Sequence, residues 1–100
     1  MSSEIYTTEE IRKRLYPVFK RHNVRKAVLF GSYGKGKADV GSDVDLLEDS
    51  NIRGLRFVGF MEEIRSAVDK EVDVFDITHI EKGSKIEEEI ERTGVLLYEE

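Results

Sequence analysis

Segments with helical periodicity alternate with short apolar runs along the 100-residue chain, and this alternation limits the fold more than any other feature. Each apolar run has the length of a strand and follows a helical pattern. The runs cover residues 26–30, 44–47, 71–77 and 95–98. Because a chain of this length supplies a single core, the sequence predicts one domain over residues 1–100. Its predicted class is α/β (α+β), with helices packed on a small mixed β-sheet.

Helix boundaries are marked by local signals. Thr7 and Glu10 have the spacing of a capping box at the start of the first helix, and Ser84 and Glu87 repeat it before the last. Pro17 interrupts the apolar pattern of the first helix, which predicts a kink or an early end there. The longest helix is predicted over 54–70.

Composition excludes several classes of protein. The chain has no cysteine and two histidines, which excludes disulfides, thiolate metal sites and a multi-histidine zinc centre. No apolar run approaches the roughly 20 residues that span a bilayer, so no membrane association is expected. The first ten residues do not resemble a signal peptide, and a cytoplasmic location is therefore predicted. Any divalent metal would be held by carboxylates, which favours magnesium or manganese.

Charge is distributed unevenly along the chain. Residues 1–38 carry nine Lys/Arg and three Glu, whereas residues 39–100 carry seven Lys/Arg and eighteen Asp/Glu. The basic part could attract phosphates, and the acidic part could hold cations or meet a basic partner. Solvated helix faces would explain the same pattern without either function.

Two aspartates stand at the start of the second predicted strand. Asp43 and Asp45 are two residues apart, so on a strand both side chains project from the same face. Two carboxylates about 6–7 Å apart repel each other unless a cation lies between them. The pair therefore indicates a cation site, although a polar strand edge would also contain such residues.

A glycine-rich turn follows the first predicted strand directly. Gly31 allows the backbone to approach a ligand closely, and Ser32 adds a hydroxyl to the backbone N–H groups of the turn. Such a turn at a helix start can hold phosphate oxygens. An ordinary strand-to-helix turn is the alternative interpretation.

The two features are separated by ten residues, and together they form the pattern G-S-x10-D-x-D. This pattern resembles the signature of the DNA polymerase β-like nucleotidyltransferase superfamily, and the length of the chain resembles its minimal nucleotidyltransferase (MNT) branch. The resemblance implies that Gly31 and Ser32 hold the terminal phosphates of a nucleotide. It also implies two Mg²⁺ ions (or Mn²⁺) on Asp43 and Asp45, completed by an acidic residue on a neighbouring strand.

Asp73 is the predicted third acidic residue, and Asp76 competes with it. Strand alternation places these two side chains on opposite faces, and the family has its acid early in the strand. The resemblance thus assigns Asp73 to metal binding and catalysis, as a ligand that can also take a proton.

The chain departs from the family pattern directly after the Gly-Ser pair. Tyr33 stands where this branch often has arginine, and Gly34 weakens the short helix expected there. Lys35, assisted by Lys37, is expected to supply the missing positive charge to the nucleotide.

The resemblance implies transfer of a nucleoside monophosphate, AMP from ATP in this branch, to a hydroxyl group. The MNT branch resembles antitoxins of HEPN toxin–antitoxin pairs, which implies a tyrosine of a HEPN-type protein as acceptor. The alternative function is a non-catalytic antitoxin that neutralises a HEPN-type ribonuclease by complex formation. A small-molecule nucleotidyltransferase ranks last, and the chain has no room for a template-binding domain, so nucleic acid is not expected as a substrate.

The longest helix contributes a final hypothesis. A helical wheel gives a core stripe that consists of Phe57, Met61, Ile64 and Val68. Phe60 and Ala67 widen this stripe on one side, whereas Leu55 lies well outside it. The Leu55 and Phe60 edges of the helix are therefore interpreted as part of a toxin-binding or homo-oligomer interface. Their alternative role is at the helix start and the core margin.

Overall fold

The computed structural model describes residues 5–100 and contains four helices and four strands in strict alternation. They are α1 (Thr8–Arg21), β1 (Lys26–Phe30), α2 (Gly31–Lys35), β2 (Val44–Asp49), α3 (Leu55–Val68), β3 (Val72–Asp76), α4 (Lys85–Thr93) and β4 (Val95–Glu99). A 3₁₀ turn over Ile77–His79 follows β3. The predicted class and order of elements are therefore confirmed, while the predicted long helix and third strand extend one or two residues too far at their ends.

The strands form one mixed sheet in the order β3-β2-β1-β4. β2 and β3 are parallel, and α3 makes the crossover between them. β1 is antiparallel to both of its neighbours. The amino ends of β2 and β3 therefore meet the carboxyl end of β1 at one edge of the sheet, where Phe30 pairs with Asp45.

The core lies between the sheet and helices α1 and α3. Its largest fully buried side chains include Leu15 and Phe19 of α1, Phe60 and Ile64 of α3, and Leu46 of β2. Their burial supplies most of the driving force for folding, at about 1.5–3 kcal/mol for each large side chain.

The predicted stripe of α3 is partly wrong. Phe60 is fully buried, so its assignment to an interface is wrong, whereas Leu55 is 89% exposed as predicted. Phe57 and Met61 are only half-buried. The buried stripe runs through Phe60, because the helix is rotated on the sheet so that this ring meets Phe19 of α1, at a centroid distance of 6.4 Å. A helical wheel cannot predict that rotation.

The first helix also differs from its prediction. It continues through Pro17 to Arg21 without interruption. The missing N–H of Pro17 costs one intrahelical hydrogen bond. Four buried side chains offset that cost, and they are Ile11, Leu15, Val18 and Phe19.

Both predicted helix starts are capped, in different ways. Thr7 and Glu10 form the full reciprocal capping box. The Ser84 hydroxyl accepts from the Glu87 N–H, but the Glu87 carboxylate accepts from the Gly83 N–H instead of from Ser84.

No helix within residues 5–100 is long and apolar enough to cross a membrane.

Glu48 is the one carboxylate that β2 turns into this core. It is 1% exposed, and neither carboxylate oxygen has a hydrogen-bond partner among the described residues. Burial raises its pKa above 4.5, and the charges of Asp76 and Asp49 add to the shift. The nearby Ser50 hydroxyl and the positive charge of Arg25 lower the pKa in part, although neither residue completes a hydrogen bond to the carboxylate.

We expect Glu48 to make the protein less stable as the pH rises. Its folded pKa lies above its unfolded value, so its ionisation removes free energy of unfolding from about pH 4.5 upward. Glu48→Met should then stabilise the protein at pH 8 by about 1–3 kcal/mol, the cost of an unpartnered buried polar group. Urea denaturation between pH 4 and 8 measures this, with Glu48→Gln as the uncharged isostere. Parallel pH profiles for wild type and Glu48→Gln would contradict the assignment.

Candidate active site

The site begins where β1 ends and α2 starts. Gly31 has φ +71°, a left-handed conformation that side chains disfavour. A Cβ at this position would lie 2.4 Å from Oδ2 of Asp45, closer than real Cβ atoms approach other atoms. Glycine is therefore required here for two reasons, and its backbone lies directly against the Asp45 carboxylate.

Asp45 and Asp73 are direct neighbours across the parallel strands. They are register partners on β2 and β3, so their side chains project from the same face of the sheet. That face is opposite to the core, which receives the alternate residues Val44 and Leu46. The prediction that Asp73 stands on a strand next to that of Asp45 agrees with this arrangement.

The environment of Asp45 is unfavourable for a negative charge. In this environment the pKa of Asp45 rises from 3.8 to about 6. Burial is the largest cause of this rise, and the negative charges of Asp73, Glu89 and Asp43 and a carboxyl–carboxyl hydrogen bond with Asp73 contribute the rest of it. Several carboxylates thus converge on one position, and either a proton or a divalent cation would relieve their repulsion.

Asp43 does not lie on the strand as predicted. β2 begins at Val44, and Asp43 is an exposed residue at the end of the preceding turn. The turn is stabilised by Asp39, whose Oδ1 accepts from the Gly41 N–H, and by the hydrogen bond from Ser42 N to Asp39 O. Within residues 5–100 no three acidic or histidine side chains form a ready-made metal cage.

Asp76 occupies the other face of β3. Its register partner is Glu48, and its carboxylate accepts hydrogen bonds from the N–H and the hydroxyl of Thr78. Burial raises the pKa of Asp76, but the two hydrogen bonds from Thr78 lower it, and the net result is a decrease. Asp76 therefore caps the 3₁₀ turn and lies away from Asp45.

The residues after Gly31 take different positions. Ser32 is exposed in the first turn of α2, and Lys35 is exposed in its last turn. Tyr33 is 3% exposed and belongs to the core, so it does not replace arginine at the cleft. Gly34, predicted to weaken the helix, permits close packing: a Cβ there would lie 2.3 Å from the carbonyl oxygen of Thr93.

Two residues of α4 join the site without any signal in the sequence. Thr93 is buried, and its hydroxyl accepts from the Gly31 N–H at 3.0 Å and donates to the Glu89 carbonyl at 2.7 Å. Glu89 adds its charge to those that act on Asp45. Both residues reach the cleft only because α4 packs against α2 and β1. No local motif predicts that contact.

Comparison with known families and proteins agrees with this architecture. Residues 13–100 match the family model "Polymerase beta, Nucleotidyltransferase". A curated relative, "Putative protein adenylyltransferase MJ0435" of Methanocaldococcus jannaschii, is 32% identical over 75 residues. That alignment covers 71% of this chain and 78% of the relative.

Similar folds occur among solved structures. A chain of a toxin–antitoxin complex with AMP-PNP superimposes with a TM-score of 0.73 at 19% identity, over 89% of this chain and 73% of that one. A chain of a complex between a tri-AMPylated Shewanella oneidensis HEPN toxin and its MNT antitoxin gives a TM-score of 0.68 at 16% identity, over 94% and 74%. These structures share the fold, and the family match covers most of the sequence. The chain therefore belongs to the polymerase beta nucleotidyltransferase family.

Proposed function

We propose that this protein is a metal-dependent protein adenylyltransferase that moves AMP from ATP to a hydroxyl group of a HEPN-type partner, as an antitoxin. The observation that carries the proposal is the meeting of Gly31, Asp45 and Asp73 at one edge of the sheet. The adenylyltransferase relative and the toxin–antitoxin complexes of the same fold support the choice of nucleotide and partner.

The donor set fits magnesium. Asp45 and Asp73 are adjacent oxygen donors that repel each other, and Asp43 is exposed in a turn next to them, where it can move onto an ion. These three aspartates would hold two Mg²⁺ ions, with Mn²⁺ as a substitute. When bound, such ions neutralise triphosphate charge and lower the pKa of the attacking hydroxyl.

The chain's own residues position the reactants and accept the proton of the attacking hydroxyl. The acceptor oxygen attacks the α-phosphorus, the bond from that phosphorus to the bridging oxygen breaks, and pyrophosphate leaves. Asp73 is exposed at the cleft and takes the hydroxyl proton. Ser32 and Lys35 bind the phosphates, Gly31 lets the turn that carries them lie against Asp45, and most of the rate comes from positioning and electrostatics.

Ser32→Ala should weaken ATP binding by on the order of 1–2 kcal/mol, because one hydrogen bond to a charged oxygen is lost. Isothermal titration with Mg²⁺ and a non-hydrolysable ATP analogue measures this effect. The matched control is Ser84→Ala, since Ser84 caps α4 at a distance from the cleft. Equal affinities for Ser32→Ala and wild type would remove Ser32 from the phosphate site.

Thr93 is expected to act as a positioning residue for the Gly-Ser turn. Thr93→Val keeps the shape of the side chain but loses both hydrogen bonds, including the one to the Gly31 N–H. We expect a loss of about 1–2 kcal/mol in unfolding free energy and a raised KM for ATP. Thr93→Ser should restore both, as it keeps the hydroxyl. A variant that loses stability but keeps the wild-type KM would show a purely structural role.

Transfer itself is tested by incubating the protein with Mg²⁺, ATP labelled at the α-phosphate, and a purified HEPN-type candidate partner. Label should enter the partner from α-labelled ATP and not from γ-labelled ATP, which separates adenylylation from phosphorylation. The alternative, a non-catalytic antitoxin, predicts that a variant with Asn at Asp43 and Asp45 still inhibits the partner. Loss of inhibition in that variant, together with loss of labelling, supports the enzyme.

A further inference from the structure

A second concave site lies at the opposite end of β3 from Asp73. It is a cavity of about 530 Å³ between the end of β3, the start of α3, the 3₁₀ turn and the first turn of α4. Its walls are largely apolar and include Ile52, Phe57, Val74, Ile80 and Ile86. A cavity of this size can receive a large side chain or a small ligand.

The cavity is distinct from the proposed nucleotide site but close to it. Asp76 lines the cavity, and Asp73 lies three residues earlier on the same strand. A strand rises about 3.3 Å per residue, so the two sites are about 10 Å apart. Asp76 and Asp73 project from opposite faces of β3, which is an edge strand of the sheet. A protein segment anchored in the cavity would therefore pass over this edge strand to bring a hydroxyl-bearing side chain to Asp45 and Asp73.

Exposed apolar side chains continue the cavity onto the surface of α3. Leu55 is 89% exposed and Val58 is 55% exposed, and they are one turn apart on the same helical face. Both are adjacent in sequence to cavity-lining residues, Gly54 and Phe57. We call Arg53, Leu55, Arg56 and Val58, together with the cavity, the α3 docking surface.

The residues around this surface carry a net positive charge, in contrast to the acidic region 39–100 to which they belong. The segments 51–58 and 76–86 border the cavity and carry four Lys/Arg against Asp76 and Glu81, although residues 39–100 are strongly acidic as a whole. Arg53 and Arg56 are exposed, and within residues 5–100 neither forms an ion pair. The earlier hypothesis that the acidic part meets a basic partner does not apply to this surface.

We propose that the α3 docking surface binds an acidic segment of the protein that receives the nucleotide, with one large apolar side chain of that segment in the cavity. This inference rests on the proposed function, since it assigns the partner's position relative to the cleft. Charge complementarity selects an acidic segment for the Arg53 and Arg56 rim. The apolar cavity and the exposed Leu55 select an anchor of the kind that dominates protein interfaces.

Nucleic acid is the other ligand that a basic rim could bind. It is disfavoured here because the centre of the surface is aliphatic, with Leu55, Val58 and Ile52 as its nearest apolar groups. Single-stranded nucleic acid binds through cations together with aromatic rings exposed for base stacking. The phenylalanines that line the cavity, Phe57 and Phe75, are both half-buried, and Phe75 packs against Phe30.

The test compares two double variants with a matched control. Arg53→Glu with Arg56→Glu reverses the rim, and Leu55→Ser with Val58→Ser removes the exposed apolar groups. Lys13→Glu with Lys20→Glu makes the same charge change on exposed positions of α1. Binding to the purified HEPN-type protein is measured by titration calorimetry, alongside Tm and the KM for ATP.

Each docking-surface variant should bind the partner at least about tenfold more weakly, with Tm and the KM for ATP unchanged, while the control binds as wild type. Wild-type affinity in both variants would overturn the proposal, and so would failure of the wild-type protein to bind the partner. Selective loss of affinity for a short single-stranded RNA would also overturn it. Partner binding that depends on this surface, without AMP transfer, would uphold the docking surface and contradict the proposed function.

Discussion

Asp45→Asn should abolish AMP transfer and at the same time stabilise the protein in the absence of metal. We expect transfer to fall by at least about 10²-fold, because a central metal ligand is lost. The pKa of Asp45 is raised from 3.8 to about 6, so ionisation of this carboxyl lowers the free energy of unfolding. Asparagine removes that cost, and metal-free stability at pH 8 should rise by about 1–3 kcal/mol.

The pH dependence of these effects has a defined sign. A raised folded pKa gives stability that is present below about pH 4 and is lost as the pH rises to about 6. The stabilisation by Asp45→Asn should therefore disappear at pH 4. A metal must displace the proton from Asp45, so the affinity for Mn²⁺ should fall about tenfold per pH unit below pH 6.

Asp76→Asn is the matched control for this experiment. It is the same substitution on the next strand, but on the face that points away from Asp45. It should retain near-normal transfer, with a small loss of stability from its cap on Thr78. Loss of transfer in Asp76→Asn with activity retained in Asp73→Asn would reverse the assignment of the third carboxylate.

Gly31→Ala should be as damaging to transfer as the loss of an aspartate. Alanine at φ +71° is strained, and its Cβ would lie 2.4 Å from the Asp45 carboxylate. To relieve the clash, either the Gly-Ser turn or Asp45 must move, and a displacement of about 1 Å can cost on the order of 10²-fold in rate. Steady-state kinetics and urea denaturation give the two effects separately.

Gly36→Ala distinguishes steric clash from backbone strain. Gly36 has φ +73°, nearly the same as Gly31, but no heavy atom outside its immediate neighbours lies within 4 Å of a Cβ at that position. It should lose about 1–2 kcal/mol of stability and keep its transfer rate. If both alanine variants lost transfer equally, strain and not contact with Asp45 would explain the glycine.

Much of the fold follows from local sequence, because each element carries its own periodicity and most carry their own boundary signals. Thr7 with Glu10, and the apolar run over 26–30, identify a helix start and a strand without reference to the rest of the chain. Pro17 gives a wrong prediction, because the tertiary packing of α1 outweighs the cost of the hydrogen bond that proline cannot donate. The rotation of α3 that buries Phe60 depends on α1 and the sheet.

The site is predictable in part for similar physical reasons. Periodicity locates the strand end before Gly31 and the strand start near Asp45, and the family resemblance adds Asp73, whose pairing with Asp45 the structure shows. Alternation predicts a strand position for Asp43, because it gives no information on where pairing begins, and β2 starts at Val44. Thr93 reaches Gly31 across 62 positions of sequence, through a helix packing contact that no local pattern encodes.

The central claim is that Asp43, Asp45 and Asp73 hold divalent metal together with a nucleotide at the Gly-Ser turn. A crystal structure with Mn²⁺ and a non-hydrolysable ATP analogue tests it most directly, because anomalous scattering locates manganese independently of the model. We predict manganese peaks about 2.1 Å from carboxylate oxygens of these three residues, with the terminal phosphates at Ser32. Manganese at Asp76 or Glu48, or phosphates away from Ser32, would contradict the account.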